Sequence, residues 1–431
     1  MILPTIGFAG MTHLGLVSGV SAAEKGFNLV CYDPDTSRIA DINQLKLPVS
    51  EPKLEDLIKK NRKQIIFTSE ISELRNCDVV FVAPDVATDD QGQSKLTTIN
   101  ILLDTVFAET RLDTVIVVLS QVPPGFTRSK QNSGRALYYQ VETLIFGLAV
   151  DRALHPERYI IGCADPKQPL PESYRIVLET YSCPLLLMRY ESAELAKISI
   201  NMCLVASVST ANTLAELCEK IGADWSEIIP ALKLDKRIGP HSYLSPGLGI
   251  AGGNLERDLA TVCNFADQYG TDAGVVRAWL VNSWHRKNWA AKTLRQALPI
   301  NKKDAVVAVW GLAYKENTHS TKNSPSLVAI SQLQDMQLRI YDPIVLWNEE
   351  WHSKTVVCSS LMDALEGADA LMIMTPWPEF KLINPMEILE KMKGNLILDP
   401  YSILPLNVTS NVDIDIYTLG RSPTNLSSSS S

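Results

Sequence analysis

Short, uninterrupted apolar runs, each closed by a glycine, a proline or an acid, set the rhythm of the opening part of the chain. Thr5–Ala9 is one such run; a glycine turn follows it, and Leu14–Lys25 then carries apolar residues at helical spacing. Phe27–Tyr32 is a second run, ended by Asp33, and Val79–Ala83 and Thr114–Leu119 repeat the theme. Runs that are apolar throughout predict parallel strands covered on both faces, and strands alternating with helices predict a doubly wound α/β domain. From Glu191 to about Trp289 the pattern changes: apolar positions keep helical spacing through Ala193–Gly222, and β-branched runs vanish. Near Asn301 the strand–turn–helix rhythm returns, with Asp304–Trp310, Leu338–Tyr341, Ala370–Met374 and Leu396–Leu398 as strands. The expected organisation is an α/β domain over 1–190, a helical segment over 191–295, a second α/β domain over 296–421 and a disordered, serine-ending tail over 422–431.

Composition narrows the function classes. The 431 residues are 46% hydrophobic and 20% charged, and 40 basic against 48 acidic residues leave a net charge of −8. That balance argues against nucleic acid or an anionic membrane as the main partner, while leaving room for small anionic ligands held by helix N-termini. The eight cysteines are never closer than 15 residues, so no zinc spacing and no CxxC can be drawn and no metal is expected. Reduced, buried thiols in a cytoplasmic protein are the expectation. The first 23 residues carry no Asp, Glu, Lys or Arg, yet they lack a basic start and are broken by Pro4 and four glycines, so neither a signal peptide nor a spanning helix is expected there. No other stretch is expected to reach membrane length.

Candidate chemistry begins at Gly10-Met11-Thr12-His13-Leu14-Gly15, between the first strand and its helix, with Asp33 closing the second strand 23 residues after Gly10. In a dinucleotide site the first glycine makes the tight turn, the middle one admits the pyrophosphate, and the last lets helix and strand pack. The acid takes the adenosine ribose hydroxyls. Thr12 stands at the middle position. An acid at the ribose favours NAD over NADP, whose extra phosphate it would repel.

Further along stand Glu51-Pro52-Lys53-Leu54, Ser120-Gln121-Val122-Pro123-Pro124-Gly125-Phe126-Thr127-Arg128, Lys197 with Asn201, Arg237-Ile238-Gly239, Gly311-Leu312-Ala313-Tyr314-Lys315 and Trp377-Pro378-Glu379-Phe380. In this order they resemble the E-P-G-L, S-T-V-P-x-G-T-T-R, K-x-x-x-N, R-I-G and G-L-A-F-K motifs of the nucleotide-sugar dehydrogenases, the UDP-glucose and GDP-mannose 6-dehydrogenases. The resemblance implies two Rossmann-like domains joined by a helical segment with a long central helix, which pairs two subunits into a homodimer. It implies NAD on the first domain, at Gly10, Thr12, His13, Leu14, Gly15, Asp33, Arg38, Gln121 and Lys322. It implies a nucleotide sugar near Glu142, Lys197, Asn201, Arg237, Tyr243, Gly252, Gly253 and Lys315. The family oxidises the sugar C6 alcohol to a carboxylate in two NAD-dependent steps, the second through a thiohemiacetal on the cysteine of a G-G-S-C-F-P-K-D loop. Lys197 and Asn201 would reach the reacting oxygen, with Asp258 holding a water beside the lysine.

The departures fall at site positions. The loop reads Gly252-Gly253-Asn254-Leu255-Glu256-Arg257-Asp258, with Asn254 at the cysteine position. An amide nitrogen has a delocalised lone pair and cannot replace a thiolate attacking an aldehyde. Phe146 replaces the second glutamate of the family's E-F-L-x-E-G, Asp85-Val86-Ala87 its G-T-P, Lys322 its D-T-R arginine and Tyr401 its D-G-R-N arginine. Three classes of function stay open: an oxidoreductase that stops after one two-electron oxidation, a non-catalytic paralogue that binds nucleotide sugar or NAD, and a four-electron dehydrogenase working through an aldehyde hydrate.

Overall fold

The computed structural model describes residues 3–89, 93–131, 134–142, 144–299, 304–405 and 414–425; Asn301 and the last serines lie outside them. The chain divides into two compact units, Met1–Ile200 and Asn201–Ser431.

The first unit is built on one eight-stranded sheet. Its strands are β1 (Ile6–Ala9), β2 (Leu29–Tyr32), β3 (Ile65–Thr68), β4 (Val79–Val82), β5 (Val115–Val118), β6 (Leu137–Gln140), β7 (Tyr159–Cys163) and β8 (Leu185–Arg189). They lie in the order β3-β2-β1-β4-β5-β6-β7-β8, parallel except for the antiparallel pair β6 and β7. Every residue of β1, β2, β4 and β5 is buried, which is why these strands read as continuous apolar runs. The edge strands β3 and β8 keep exposed positions, so their sequence signal is weaker.

The second unit carries a seven-stranded sheet of β9 (Val306–Trp310), β10 (Gln337–Tyr341), β11 (Thr355–Val357), β12 (Ala370–Ile373), β13 (Leu396–Leu398), β14 (Asp415–Tyr417) and β15 (Thr424–Asn425). Its order, β11-β10-β9-β12-β13-β14-β15, repeats the crossover of the first sheet at β10-β9-β12. The fold is α/β with two doubly wound sheets, as expected. The tail expectation needs correction: β15 pairs antiparallel with β14, so 424–425 belong to the sheet.

The helix Tyr190–Ile221 runs for 32 residues. Contrary to expectation, it is long and apolar enough to match a membrane span, with a mean hydropathy of 1.3 over its most apolar window. Its polar side chains show the reason: Glu194, Asn201 and Asn212 are buried and each is hydrogen-bonded to protein. Lipid would leave such groups without partners, so this is a helix packed inside protein.

Candidate active site

The turn after β1 explains its glycines. Gly10 sits at φ +100°, and a Cβ there would lie 2.7 Å from the Pro84 nitrogen. Thr12 then stands at the N-cap position of the helix His13–Glu24 without a side-chain capping bond, and on the first turn of that helix a Cβ at Gly15 would lie 1.9 Å from the Gly10 carbonyl oxygen. Only glycine at 15 lets the helix start against the turn, the packing role expected of it.

Asp33 follows β2 and is 1% exposed. Its carboxylate accepts from the Met11 nitrogen at 2.6 Å, the Asp35 nitrogen at 2.9 Å and Arg38 Nη1, which lies 2.9 Å from both oxygens. Arg38 reaches it because Asp35 accepts from the Ser37 and Arg38 nitrogens and so starts the next helix at Thr36. Tight turn, helix N-terminus and terminal acid are thus assembled as a dinucleotide requires, and the residues fit NAD.

Around this cradle lie contacts that separation along the chain concealed. The His13 ring meets Glu51 through Nε2 at 3.0 Å and stacks on Phe146 with centroids 4.2 Å apart. Glu51 also accepts from the nitrogens of Gly147 at 3.0 Å and Ala149 at 3.4 Å, and the exposed Phe146 ring lies against His13 where the family resemblance expects a carboxylate. The His13 nitrogen donates to Asp85 Oδ2 at 3.0 Å, and the Asp85 nitrogen donates to Thr12 Oγ1 at 2.9 Å. Gln121 is half-buried just past β5, and Leu14 is half-buried on the first turn of its helix. Glu142 lines a small interior cavity with Ser18, Ser21, Tyr159 and Tyr181, and burial pushes both phenols up.

Lys197 is half-buried on the long helix, one turn before Asn201. Three residues earlier, Glu194 is fully buried and accepts from the nitrogens of Gly125 at 2.6 Å and Thr127 at 2.8 Å. Burial raises its pKa, while these backbone donors pull it down. This carboxylate anchors the Pro123–Thr127 turn to the helix that carries Lys197, a role invisible at a separation of 69 residues.

In the second unit, the loop from Gly252 is tied at both ends. The Gly252 nitrogen donates to the Lys322 carbonyl at 3.0 Å, and Asn323 Nδ2 donates to the Gly252 carbonyl at 3.0 Å and also to Glu256. Gly252 itself lies at φ +77°, beside the Tyr314 ring. With Gly253 as its cap, the helix Asn254–Tyr269 opens on Asn254, which is exposed. One turn further, Asp258, 1% exposed, accepts from Asn201 Nδ2 at 2.5 Å and faces Arg257 Nε at 3.4 Å. Beneath the loop, Lys287 is 1% exposed, pairs with Glu256 at 3.0 Å and lies over the Trp284 ring at 4.9 Å. None of Lys287, Asn323 or Glu256 was singled out by sequence.

No thiol replaces the missing one here. Cys263 lies nine residues past Asn254 on the same helix, about 14 Å along its axis, and burial raises its pKa. Cys203 is two residues past Asn201, about 200° around the helix and on the opposite face. Arg237 pairs with Asp235 at 2.7 Å, its side chain 89% exposed, and Tyr243 is half exposed. Lys315 sits over the Tyr314 ring at 5.8 Å, and Lys322 is exposed.

The strand ends of the second sheet repeat the first cradle. Gly311, at φ +94°, turns after β9 where a Cβ would meet Thr375 at 2.4 Å. Asp342 after β10 accepts from the nitrogens of Leu312 at 2.7 Å, Ala313 at 3.2 Å, Ile344 at 2.9 Å and Val345 at 2.8 Å, and from Trp377 Nε1 at 3.3 Å. This acid is consumed by the fold. Tyr401 donates to the Met374 carbonyl at 3.2 Å, with its phenol pushed up by burial.

Comparison with known proteins agrees with this geometry. Three domain models of the UDP-glucose/GDP-mannose dehydrogenase family match: the NAD binding domain over residues 4–181, the central domain over 191–284 and the UDP binding domain over 308–405. UDP-glucose 6-dehydrogenase of Rickettsia conorii is 29% identical, covering 96% of this chain and 99% of its own length. TuaD, the UDP-glucose 6-dehydrogenase of Bacillus subtilis, is 28% identical, covering 96% and 93%. The solved UDP-D-ManNAc dehydrogenase of Pyrococcus horikoshii has the same fold, with a TM-score of 0.82 at 24% identity over 97% of this chain and 99% of its own. The chain therefore belongs to the UDP-glucose/GDP-mannose dehydrogenase family, a family of NAD-dependent nucleotide-sugar dehydrogenases, with NAD as its cofactor.

Proposed function

We propose that this protein oxidises a carbinol, C6 in the family frame, of a nucleotide sugar such as a UDP-hexose, and stops after a single two-electron step. Bound NAD supplies the hydride acceptor. The carbinol carbon gives up a hydride and its oxygen a proton, leaving an aldehyde, NADH and a proton. Lys197 helps remove the hydroxyl proton, and Asn201, its carboxamide held by Asp258, steadies the developing alkoxide. The loop Gly252–Asp258 closes around the sugar, with Gly252 and Gly253 allowing close approach, Arg257 holding Asp258 and Lys315 and Tyr243 on the nucleotide side. Glu142 serves as a second acid–base group.

The observation that carries this reading is the exposed Asn254 at the start of its helix, with the buried Asn201–Asp258 pair intact one turn away. The parts that serve alkoxide formation are retained, and the nucleophile for the second oxidation is not. A second reading, complete oxidation through an aldehyde hydrate, is favoured by relatives named UDP-glucose 6-dehydrogenase that cover nearly all of the chain. Purified protein, NAD and a panel of UDP- and GDP-sugars separate them. One NADH per sugar consumed supports the single oxidation, two support the hydrate route, and none supports a non-catalytic paralogue. Asn254→Cys is expected to move the ratio from one towards two.

We also place the protein in the cytoplasm as a homodimer. All eight cysteines are free thiols, which suits a reducing compartment. Leu214, Leu217 and Ile221 stand 40%, 51% and 65% exposed on the long helix, an apolar stripe suited to a second copy. Sedimentation of a Leu217→Glu variant as a monomer, against a wild-type dimer, tests the pairing.

A further inference from the structure

We propose that Asp85 is a built-in competitor for the cofactor's diphosphate and so sets how strongly the first unit holds a dinucleotide relative to a bare nucleoside. The inference rests on the NAD reading of that unit and concerns a residue that departs from the family's G-T-P motif.

The N-terminus of the helix His13–Glu24 offers N–H groups that have no acceptor within the helix and the positive end of the helix dipole, the place where this fold holds a pyrophosphate. Here the first of those donors, the His13 nitrogen, already gives its hydrogen to the Asp85 carboxylate at 3.0 Å. The Asp85 nitrogen returns a bond to Thr12 Oγ1 at 2.9 Å. These two bonds latch together the loops that leave the adjacent strands β1 and β4. An anion of the protein's own thus lies where the ligand's anion would go.

His13 cannot move aside cheaply. The residue is 8% exposed, its ring bonded to Glu51 and stacked on Phe146. Asp85 is exposed and is the partner free to rotate. If it stays, its carboxylate and the diphosphate carry like charges on neighbouring donors and repel each other, more strongly at a partly shielded surface than in bulk water. If it swings out, the helix end loses a charged acceptor before the diphosphate replaces it. Both courses tax a diphosphate and leave adenosine, which needs only the Asp33 side of the cradle, untouched.

The test is calorimetric titration of the full chain with NAD, ADP-ribose and adenosine, in the wild type, Asp85→Ala and Asp85→Asn. The asparagine variant keeps an oxygen for the His13 nitrogen, so it remains informative if the alanine variant folds poorly. The expected result is ADP-ribose and NAD binding on the order of tenfold tighter in both variants, with adenosine unchanged. Equal ADP-ribose affinity in all three forms, weaker binding in the variants, or an equal gain for adenosine would each overturn the proposal while leaving the cofactor assignment standing. Failure of every form to bind ADP-ribose or NAD overturns the cofactor assignment and this proposal with it.

Discussion

Asp258→Ala probes the hydrogen-bonded pair on which the candidate site is built. The carboxylate is 1% exposed and holds Asn201 Nδ2 at 2.5 Å, with Arg257 Nε at 3.4 Å. A hydrogen bond to a charged group contributes about 1.5–3 kcal/mol, and breaking a buried ion pair by deleting one partner costs about 3–5 kcal/mol. Arg257 is 5% exposed, so its guanidinium would keep its charge with one acceptor fewer. Because the 3.4 Å contact is long, the two losses are not added and the ion-pair figure alone is taken, about 3–5 kcal/mol. For a unit of this size that lowers the melting temperature by about 6–20 °C. Asp258→Asn retains an oxygen for Asn201 but withdraws charge from Arg257, and should fall between wild type and alanine. A double-mutant cycle with Asn201→Ala, read by urea unfolding, isolates the pair and should return a coupling of about 1.5–3 kcal/mol. A coupling under about 0.5 kcal/mol, or an alanine variant melting within about 2 °C of wild type, would refute the reasoning.

Three other outcomes are expected. Asp33→Ala should weaken NAD by about 1.5–3 kcal/mol in calorimetry, and should also lower stability, because Met11 and Arg38 lose their shared acceptor. Lys197→Ala should cut turnover by about 10²–10⁴-fold on the true substrate while retaining part of the sugar-nucleotide affinity; full turnover would make the lysine structural. Gly15→Ala forces a Cβ to within 1.9 Å of the Gly10 oxygen, so the turn must shift; about 1–3 kcal/mol of stability and much of the NAD affinity should be lost, measured by urea unfolding and calorimetry.

Much of this was legible in the chain because it is local. Buried parallel strands such as β1, β4, β9 and β12 must be apolar at every position, so they stand out as runs, and with the intervening helices they imply doubly wound sheets. The turn at Gly10, the acid at Asp33 and the asparagine at 254 lie within motifs whose spacing carries their geometry. Edge strands β3, β8 and β11 were not legible, since an exposed face relaxes the demand for apolar residues. The long helix meets the length and hydropathy of a membrane span although none was expected, and the feature that marks it as packed in protein, Glu194 and Asn201 buried on protein partners, exists only in the fold.

What only the tertiary structure decided are the polar partnerships between distant segments: Asp85 on the His13 nitrogen, Glu51 under His13, Glu194 on the Gly125 turn, Asn201 on Asp258, and Lys287 on Glu256. A buried polar group must be satisfied, but nothing in its own neighbourhood along the chain says by whom. By itself the sequence determined the fold class, the cofactor and the absence of a thiol at 254, because periodicity, turn chemistry and residue identity are local properties. Which carboxylate occupies which donor was settled by the packing of the sheets and helices, because a hydrogen bond of about 3 Å depends on where the folded chain brings its ends together.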